Sequence, residues 1–304
     1  MASSRSFSSR SLQDTLQHTL AGEVRLGGIG LHGGKYCDVR ICPAAIDQGI
    51  GFQWFSPESG TTALLSAPPL ALPPLAAHFE AVQSTVLSTE LAQGRYRIRT
   101  VEHLLAALAG LGITNATIAL TEESTELPLL DGSAQDWVTA IDRVGLVPQE
   151  AAIHPLRISQ PLTVQSGDAF IVGLPGVETR LTYGIDFPVA AIGQQWHTVV
   201  LNPQTFRQEI APARTFGFRQ QIEQAQAAGL IKGGSLENAL VCDENGWLNP
   251  PLRFENEPVR HKLLDLIGDL SLLGTLPIGH IVAYKASHQL HIEFDRQLAA
   301  LNAG

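Results

Sequence analysis

Residues 253–274 read RFENEPVRHKLLDLIGDLSLLG. Glu257-Pro258 opens a helix, because proline at the first helical position gives up only an N–H that has no helical partner anyway. Val259, Leu263, Leu264, Leu266, Ile267 and Leu270 recur at helical spacing. His261, Asp265 and Asp269 stand at i, i+4 and i+8, and at about 3.6 residues per turn they share one face. A core helix has no need of an imidazole and two carboxylates in a line. His and Asp one turn apart can hold one metal ion. A solvated polar face is the simpler account of a lone His-x-x-x-Asp, so the choice depends on whether the rest of the chain offers further ligands, a base and a groove.

A second helix is written at 100–111, TVEHLLAALAGL, with Thr100 as its expected N-cap. His103 occupies the position where a capping box would carry Glu or Gln. Both helices follow runs of strands, and both open with Val-x-His-x-Leu: Val101, His103, Leu105 and Val259, His261, Leu263. The echo predicts an α+β fold of two similar domains, each a β-sheet layered against α-helices. With the helical layers facing each other, His103 and His261 meet at the interface, where ligand sites concentrate.

Between the helices the pattern breaks at 148–155, PQEAAIHP, which sets the expected division: a disordered tail at 1–14, an N-terminal α+β domain at 15–149 and a C-terminal one at 150–304. Strands are expected at 84–89, 95–99, 115–120, 156–164, 169–174, 179–187, 195–201 and 279–286. Further helices are expected at 135–144, 206–210 and 218–228, and from about His291 onward, with PPLALPP at 68–74 as a loop or edge. Gly28-x-Gly30-x-x-Gly33 matches a dinucleotide-binding fingerprint in form only, since a strand follows where a helix is required. Its glycines instead allow a tight hairpin whose tip presents His32.

Composition narrows the function. A net charge of −9 argues against nucleic-acid binding. No apolar run reaches the roughly 18 residues of a membrane span. Three cysteines without a Cys-x-x-Cys make no disulfide framework and no thiolate zinc site, which suggests a reducing, cytoplasmic setting. The opening MASSRSFSSRS is rich in Ser and Arg and free of acids. It mimics an organelle transit peptide, but its shortness favours a disordered tail. A monomer is expected.

His103, His261 and Asp265 make a set suited to one zinc ion, with a fourth position left for water. Such an ion lowers the pKa of its water to about 7, and Glu102, next to His103, is the candidate base. A carboxylate favouring the helix N-terminus is the alternative role for Glu102. His288, in AYKASHQL, can be kept protonated by Asp269 and so stabilise an oxyanion or a leaving amine. Its neighbour His291 reads as surface. In ARTFGF, 213–218, Thr215 offers a hydroxyl and the phenylalanines offer apolar faces, although a helix cap with ordinary packing serves equally. Ile222, Ile231, Gly234 and Ser235 belong to a run of apolar and small residues that either lines a channel for a chain-like ligand or packs a core.

At these residues the chain resembles the UDP-3-O-acyl-N-acetylglucosamine deacetylase family, zinc enzymes of lipid A biosynthesis. The motifs are GIGLHGG at 28–34, TVEHLLAALAGLGI at 100–113, LLDGSA at 129–134, IDFP at 185–188, ARTFGF at 213–218, KGGSLENA at 232–239, RFENEPVRHKLLDLIGDL at 253–270 and AYKASH at 283–288. The resemblance implies helical layers facing each other around the active site and one zinc on His103, His261 and Asp265. It implies Glu102 as general base, Thr215 at the carbonyl oxygen, and His288 supported by Asp269. It also implies Lys262 on the substrate, Phe187 stacked on uracil, Phe216 beside the sugar and His32 near the sugar or acyl end. Ile222, Ile231, Gly234 and Ser235 would line the acyl passage. The substrate would be UDP-3-O-[(3R)-3-hydroxyacyl]-N-acetylglucosamine and the products acetate and the free amine. Ala169 departs from the pattern, since relatives often carry a basic residue there, and Lys232 sits at a variable position. A different zinc hydrolase or a non-catalytic binding module are the alternatives. The presence of Glu102, His103, His261, Asp265 and His288 together speaks against the module.

Overall fold

Helix Glu257–Leu270 forms where the apolar periodicity places it, but solvent touches almost none of it. Val259, Leu263, Leu264, Leu266, Ile267 and Leu270 are fully buried, and so are the polar His261, Asp265 and Asp269. A helix buried on nearly every face belongs between layers. The computed structural model describes residues 16–55 and 75–303. The tail expected at 1–14 and the loop expected at 68–74 lie outside the described residues.

The chain runs through Leu16–Leu20 (β1), Val24–Ile29 (β2), Tyr36–Pro43 (β3), Ile50–Phe55 (β4), Leu75–Ala76 (β5), Val82–Ser84 (β6), Glu90–Gln93 (β7), Tyr96–Arg99 (β8), Glu102–Gly110 (α1), Ala116–Thr121 (β9) and Gln135–Val144 (α2). It continues through Leu146–Ala152 (β10), Leu162–Ser166 (β11), Ala169–Leu174 (β12), Thr179–Asp186 (β13), Gln194–Val200 (β14), Phe216–Phe218 (β15), Arg219–Ala227 (α3), Leu240–Asp243 (β16), Gly246–Trp247 (β17), Glu257–Leu270 (α4), Gly279–Tyr284 (β18) and His288–Asn302 (α5).

Two five-stranded sheets have the same topology, β2-β3-β9-β4-β5 and β11-β12-β18-β13-β14. In each, the strand that follows the histidine-bearing helix enters between the second and third strands. β9 pairs antiparallel with β3 and parallel with β4, and β18 pairs antiparallel with β12 and parallel with β13. The fold is therefore α+β, two similar sheet-and-helix units with their helical layers face to face. Strand patterning agrees: along β18 buried Gly279, Ile281 and Ala283 alternate with partly exposed residues, the period of two for a sheet with one face on the core.

Several elements differ from the sequence expectation. The strand expected over 84–89 ends at Ser84; a bend with Leu87 at φ 61° follows, and β7 starts at Glu90. Thr100 is not the N-cap of α1, because its own φ is 58° and Val101 intervenes. The break at 148–155 is a strand as far as Ala152, paired antiparallel with β1. Its polar residues bond sideways, with Gln149 accepting from Asn115 at 2.7 Å and donating to the Ala44 carbonyl at 2.9 Å, so the ribbon leaves little apolar signal. Of the strand expected over 156–164 only 162–164 is in the sheet, in β11, which runs on to Ser166. α5 starts at His288, capped by Ser287, whose Oγ accepts from the Leu290 N–H.

Between the sheets α1 lies directly on α4, and Gly268 sets how closely. A Cβ there would stand 2.2 Å from the Glu102 carbonyl oxygen, well inside contact distance. At an exposed helical site Gly→Ala would stabilise by roughly 1 kcal/mol. Here the sign is expected to reverse, because overpacking costs about 1–3 kcal/mol. Gly268→Ala should lower the midpoint of urea unfolding, and a midpoint at or above wild type would show that the two backbones do not need this approach.

Candidate active site

The segment before α1 is anchored by Glu126. Its carboxylate accepts the Thr100 hydroxyl at 3.0 Å and the backbone N–H groups of His32 and Gly33 at 2.7 Å each. One side chain thus ties the 28–34 hairpin tip to the strained turn ahead of Glu102. Gly30 makes room for it, since a Cβ there would meet Glu126 Oε2 at 2.6 Å. His32 is not displayed at the tip but buried, with Nε2 3.3 Å from Ser88 Oγ. Burial, aided by Arg99, pushes its pKa down to about 4.

Where α1 crosses α4, His103 and His261 meet with rings perpendicular and centroids 5.0 Å apart. Both turn Nε2 toward Asp265 Oδ1, at 3.7 Å from His103 and 3.4 Å from His261. The three donor atoms lie within 4.8 Å of one another. His261 Nδ1 is 3.0 Å from the Ala213 carbonyl and donates to it, so the Nε2 lone pair faces the carboxylate. Neither nitrogen of His103 has a protein hydrogen-bond partner among the described residues: Nδ1 has none, and Nε2 at 3.7 Å is beyond range. Buried polar atoms left in this way need a partner. Two imidazole nitrogens and a carboxylate oxygen converging on one point fit a divalent cation, with the nitrogen and oxygen donors that zinc accepts.

Charges around the cluster are arranged for the same end. Burial opposes ionisation of Asp265, but Lys262 and His261 outweigh it and hold the carboxyl well below the usual range. Lys262 Nζ donates to Asp265 Oδ2 at 2.7 Å, on the oxygen that the histidines do not face. Burial lowers the His261 pKa to about 4, which leaves its imidazole neutral and able to ligate.

Beside this cluster is a second one, centred on Asp269. His288 Nδ1 and His291 Nδ1 each lie 2.7 Å from Asp269 Oδ2, and Thr89 Oγ1 donates to Asp269 Oδ1 at 2.6 Å. Burial opposes the charge on His288, but Asp269 overcomes it and raises the pKa to about 9. His288 and His291 in turn outweigh burial and hold the Asp269 carboxyl below the usual range. His291 is therefore not surface: it is fully buried, its Nε2 3.2 Å from the Tyr183 hydroxyl. Its place three residues after His288 on one helix was a readable signal. Glu102 is also buried and accepts the Thr89 N–H at 3.1 Å. Burial pushes its pKa up, against the pull of His288 and His103. Thr89 and Glu126 carried no signal in the sequence, for each acts through residues far away along the chain.

Phe216 stands edge-on to His261 with centroids 6.3 Å apart, and Phe187 is edge-on to Phe216 at 5.6 Å. Phe187 and Lys262 share a cavity of about 200 Å³ with Tyr183 and Lys285. Thr215 is held by its backbone, its N–H bonded to the Gly132 carbonyl at 2.7 Å and its carbonyl to the Leu240 N–H at 2.8 Å. It does not cap α3, whose N-cap is Phe218. Ile222 packs on Gly217, where a Cβ would lie 2.9 Å from Ile222 Cδ1. The 231–235 turn meets the hairpin tip, with the Gly233 N–H on the Leu31 carbonyl at 2.9 Å and Ile231 Cγ2 2.5 Å from a Cβ built on Gly234. Ser235 Oγ accepts the Glu237 N–H at 3.2 Å. The structure thus brings the 231–235 turn to the hairpin tip that carries His32, with the Lys232 N–H on the His32 carbonyl at 3.4 Å, and Ile222 to the strand bearing Phe216. A larger cavity of about 760 Å³ lies at the other ends of α1 and α4 and contains none of these side chains.

A buried carboxylate beside a His–His–Asp set that could hold a cation, between duplicated sheet-and-helix units, points to the class of metal-dependent hydrolases. The family model for LpxC, UDP-3-O-acyl N-acetylglycosamine deacetylase, matches residues 17–300, and the chain belongs to this family, whose members depend on a metal. A UDP-3-O-acyl-N-acetylglucosamine deacetylase of Thermosynechococcus vestitus is 51% identical over 285 residues, 94% of each chain. One of a Nostoc species is 51% identical over 292 residues, 94% of this chain and 99% of the relative. A probable UDP-3-O-acyl-N-acetylglucosamine deacetylase 1, mitochondrial, of Arabidopsis thaliana is 42% identical over 302 residues, 93% of this chain and 88% of the relative.

The His288–Asp269 bond makes stability depend on pH. A histidine whose folded pKa of about 9 exceeds its ordinary 6.5 contributes stability in full below pH 6.5 and loses it as the pH rises through 9. Wild type should lose stability to urea between pH 7 and pH 10. Asp269→Asn should be less stable at pH 7 and change less across that interval. Parallel profiles for the two proteins would count against a charged His288.

Proposed function

We propose that this chain removes the N-acetyl group from UDP-3-O-[(3R)-3-hydroxyacyl]-N-acetylglucosamine, giving acetate and UDP-3-O-acyl-glucosamine, an early step of lipid A biosynthesis. The observation that carries the assignment of residues is the convergence of His103 and His261, one from each unit, on a single oxygen of Asp265. These three would hold one Zn2+, which when bound supplies positive charge to polarise the carbonyl and acidify the attacking water.

Glu102 takes the proton as water adds to the acetyl carbon. Its burial raises its proton affinity toward the range a general base needs near neutral pH. Breaking the C–N bond releases an amine that must gain a proton, which Glu102 returns. His288, kept cationic by Asp269, stabilises the negative charge that develops on the carbonyl oxygen and assists departure of the nitrogen. The Thr215 hydroxyl donates to the same oxygen.

The remaining residues bind and orient. Lys262 contacts the substrate from the cavity it shares with Phe187, whose ring stacks on uracil. Phe216 borders the sugar, and His32 lies at the sugar or acyl end. Ile222, Ile231, Gly234 and Ser235 line the acyl passage. The two domains are 15–149 and 150–304, with β10 spanning the junction. No helix among the described residues is long and apolar enough to cross a membrane. A cytoplasmic monomer that binds no nucleic acid completes the reading.

Mass spectrometry of the purified protein with UDP-3-O-acyl-N-acetylglucosamine should show loss of the acetyl group, abolished by a chelator and restored by zinc. An unchanged substrate peak under restored conditions would refute the activity. Glu102→Ala should retain zinc and lower kcat by at least about 100-fold, the usual contribution of a general base. His261→Ala should lose bound zinc as well as activity, and full metal occupancy in that variant would remove His261 from the ligand set.

A further inference from the structure

Thr89 commits every polar group it has. Its N–H donates to Glu102 Oε2 at 3.1 Å, its hydroxyl donates to Asp269 Oδ1 at 2.6 Å, and its carbonyl accepts the Val101 N–H at 3.4 Å. The hydroxyl oxygen is also 3.3 Å from His288 Nδ1, whose own bond goes to Asp269 at 2.7 Å. Thr89 is completely buried, in the bend that Leu87 creates at φ 61° ahead of β7. Glu102 belongs to α1 of the first unit, while Asp269 and His288 belong to α4 and α5 of the second. One residue therefore holds the carboxylate of one unit and the carboxylate–imidazole pair of the other.

We infer that Thr89 is a positioning residue that fixes the separation of Glu102 and His288 across the reacting carbonyl, an inference that rests on the deacetylase reading of the site. Two groups acting on one carbonyl must keep their spacing closely, since a misplacement of about 1 Å costs on the order of 100-fold in rate. The backbone of Thr89 takes its position from Glu102 and Val101, and its hydroxyl passes that position to Asp269. Branching at Cβ restricts χ1, so the hydroxyl stays aimed at Asp269 without a further restraint. The residue touches neither the cation-ready nitrogens nor, on this reading, the substrate. Its loss should therefore act on turnover rather than on metal or substrate binding.

The test compares Thr89→Val and Thr89→Ser in the full-length, zinc-loaded protein, with wild type assayed in parallel on UDP-3-O-acyl-N-acetylglucosamine. Val keeps the shape and the backbone N–H but removes the hydroxyl. It should lower kcat by about 10- to 100-fold, the loss expected for one hydrogen bond to a charged group. KM should stay within about twofold and bound zinc should be unchanged. Ser restores the hydroxyl and should return kcat to within about threefold. In an Asp269→Ala background the Val substitution should cost less than about twofold more, because the acceptor through which Thr89 acts is gone. The inference is overturned if Thr89→Val turns over like wild type, if Thr89→Ser is as slow as Thr89→Val, or if the effects of the Thr89 and Asp269 substitutions multiply. Failure of wild type itself to release acetate would refute the deacetylase reading instead.

Discussion

Everything in this molecule depends on how closely two helices approach. α1 and α4 touch at the level of backbone, with no side chain between Gly268 and the Glu102 carbonyl. That contact has an apolar reason and a polar result. Leu104, Leu105, Ala106 and Ala107 on one helix and Leu263, Leu264, Leu266 and Ile267 on the other are removed from water between two sheets, each large side chain favouring burial by roughly 1.5–3 kcal/mol. The same approach brings His103, His261 and Asp265 to one point. The site is formed by the seam of the fold.

A seam of this kind collects charges that the interior would otherwise reject. Glu102, Asp265, Asp269, His261, His288 and His291 are all buried, and isolated ions there would be costly. The structure answers by sharing. Asp265 offers one oxygen to the two imidazoles and the other to Lys262. Asp269 places two imidazoles on Oδ2 and the Thr89 hydroxyl on Oδ1. Two carboxylates four residues apart on one helix are thus given opposite tasks by their partners. One faces imidazole nitrogens that are free to ligate, and the other keeps an imidazole charged. Glu102, with a single N–H on Oε2 and burial raising its pKa, remains the carboxylate best suited to accept a proton.

Much of this is legible in the sequence. The helix at 257–270, the repeated Val-x-His-x-Leu and the expectation that His103 meets His261 follow from periodicity, because a 3.6-residue repeat and an internal echo are local properties of a chain. Strands 169–174 and 279–284 were legible for the same reason. The ribbon β1–β10 was not, because its polar residues bond to groups outside the ribbon, such as Asn115 and the Ala44 carbonyl, and carry no apolar alternation. The turn at 85–89 was not, because Leu87 adopts a positive φ that nothing in its residue type announces. In the sequence His291 reads as surface because a polar residue near a helix start usually faces water, and only the fold shows Asp269 and Tyr183 on the inside.

The sequence by itself determined which residue types were available and how they are spaced along each helix. It also determined that two similar halves would fold, since each half carries its own strand, helix, strand order. Tertiary structure alone decided which of the acids would face the histidines, how Glu126 would bind the hairpin to α1, and that Thr89 would stand between Glu102 and Asp269. The reason is physical. Spacing within a helix constrains neighbours a turn apart, whereas a hydrogen bond between residues 180 positions apart exists only after both sheets have folded and the helices have met.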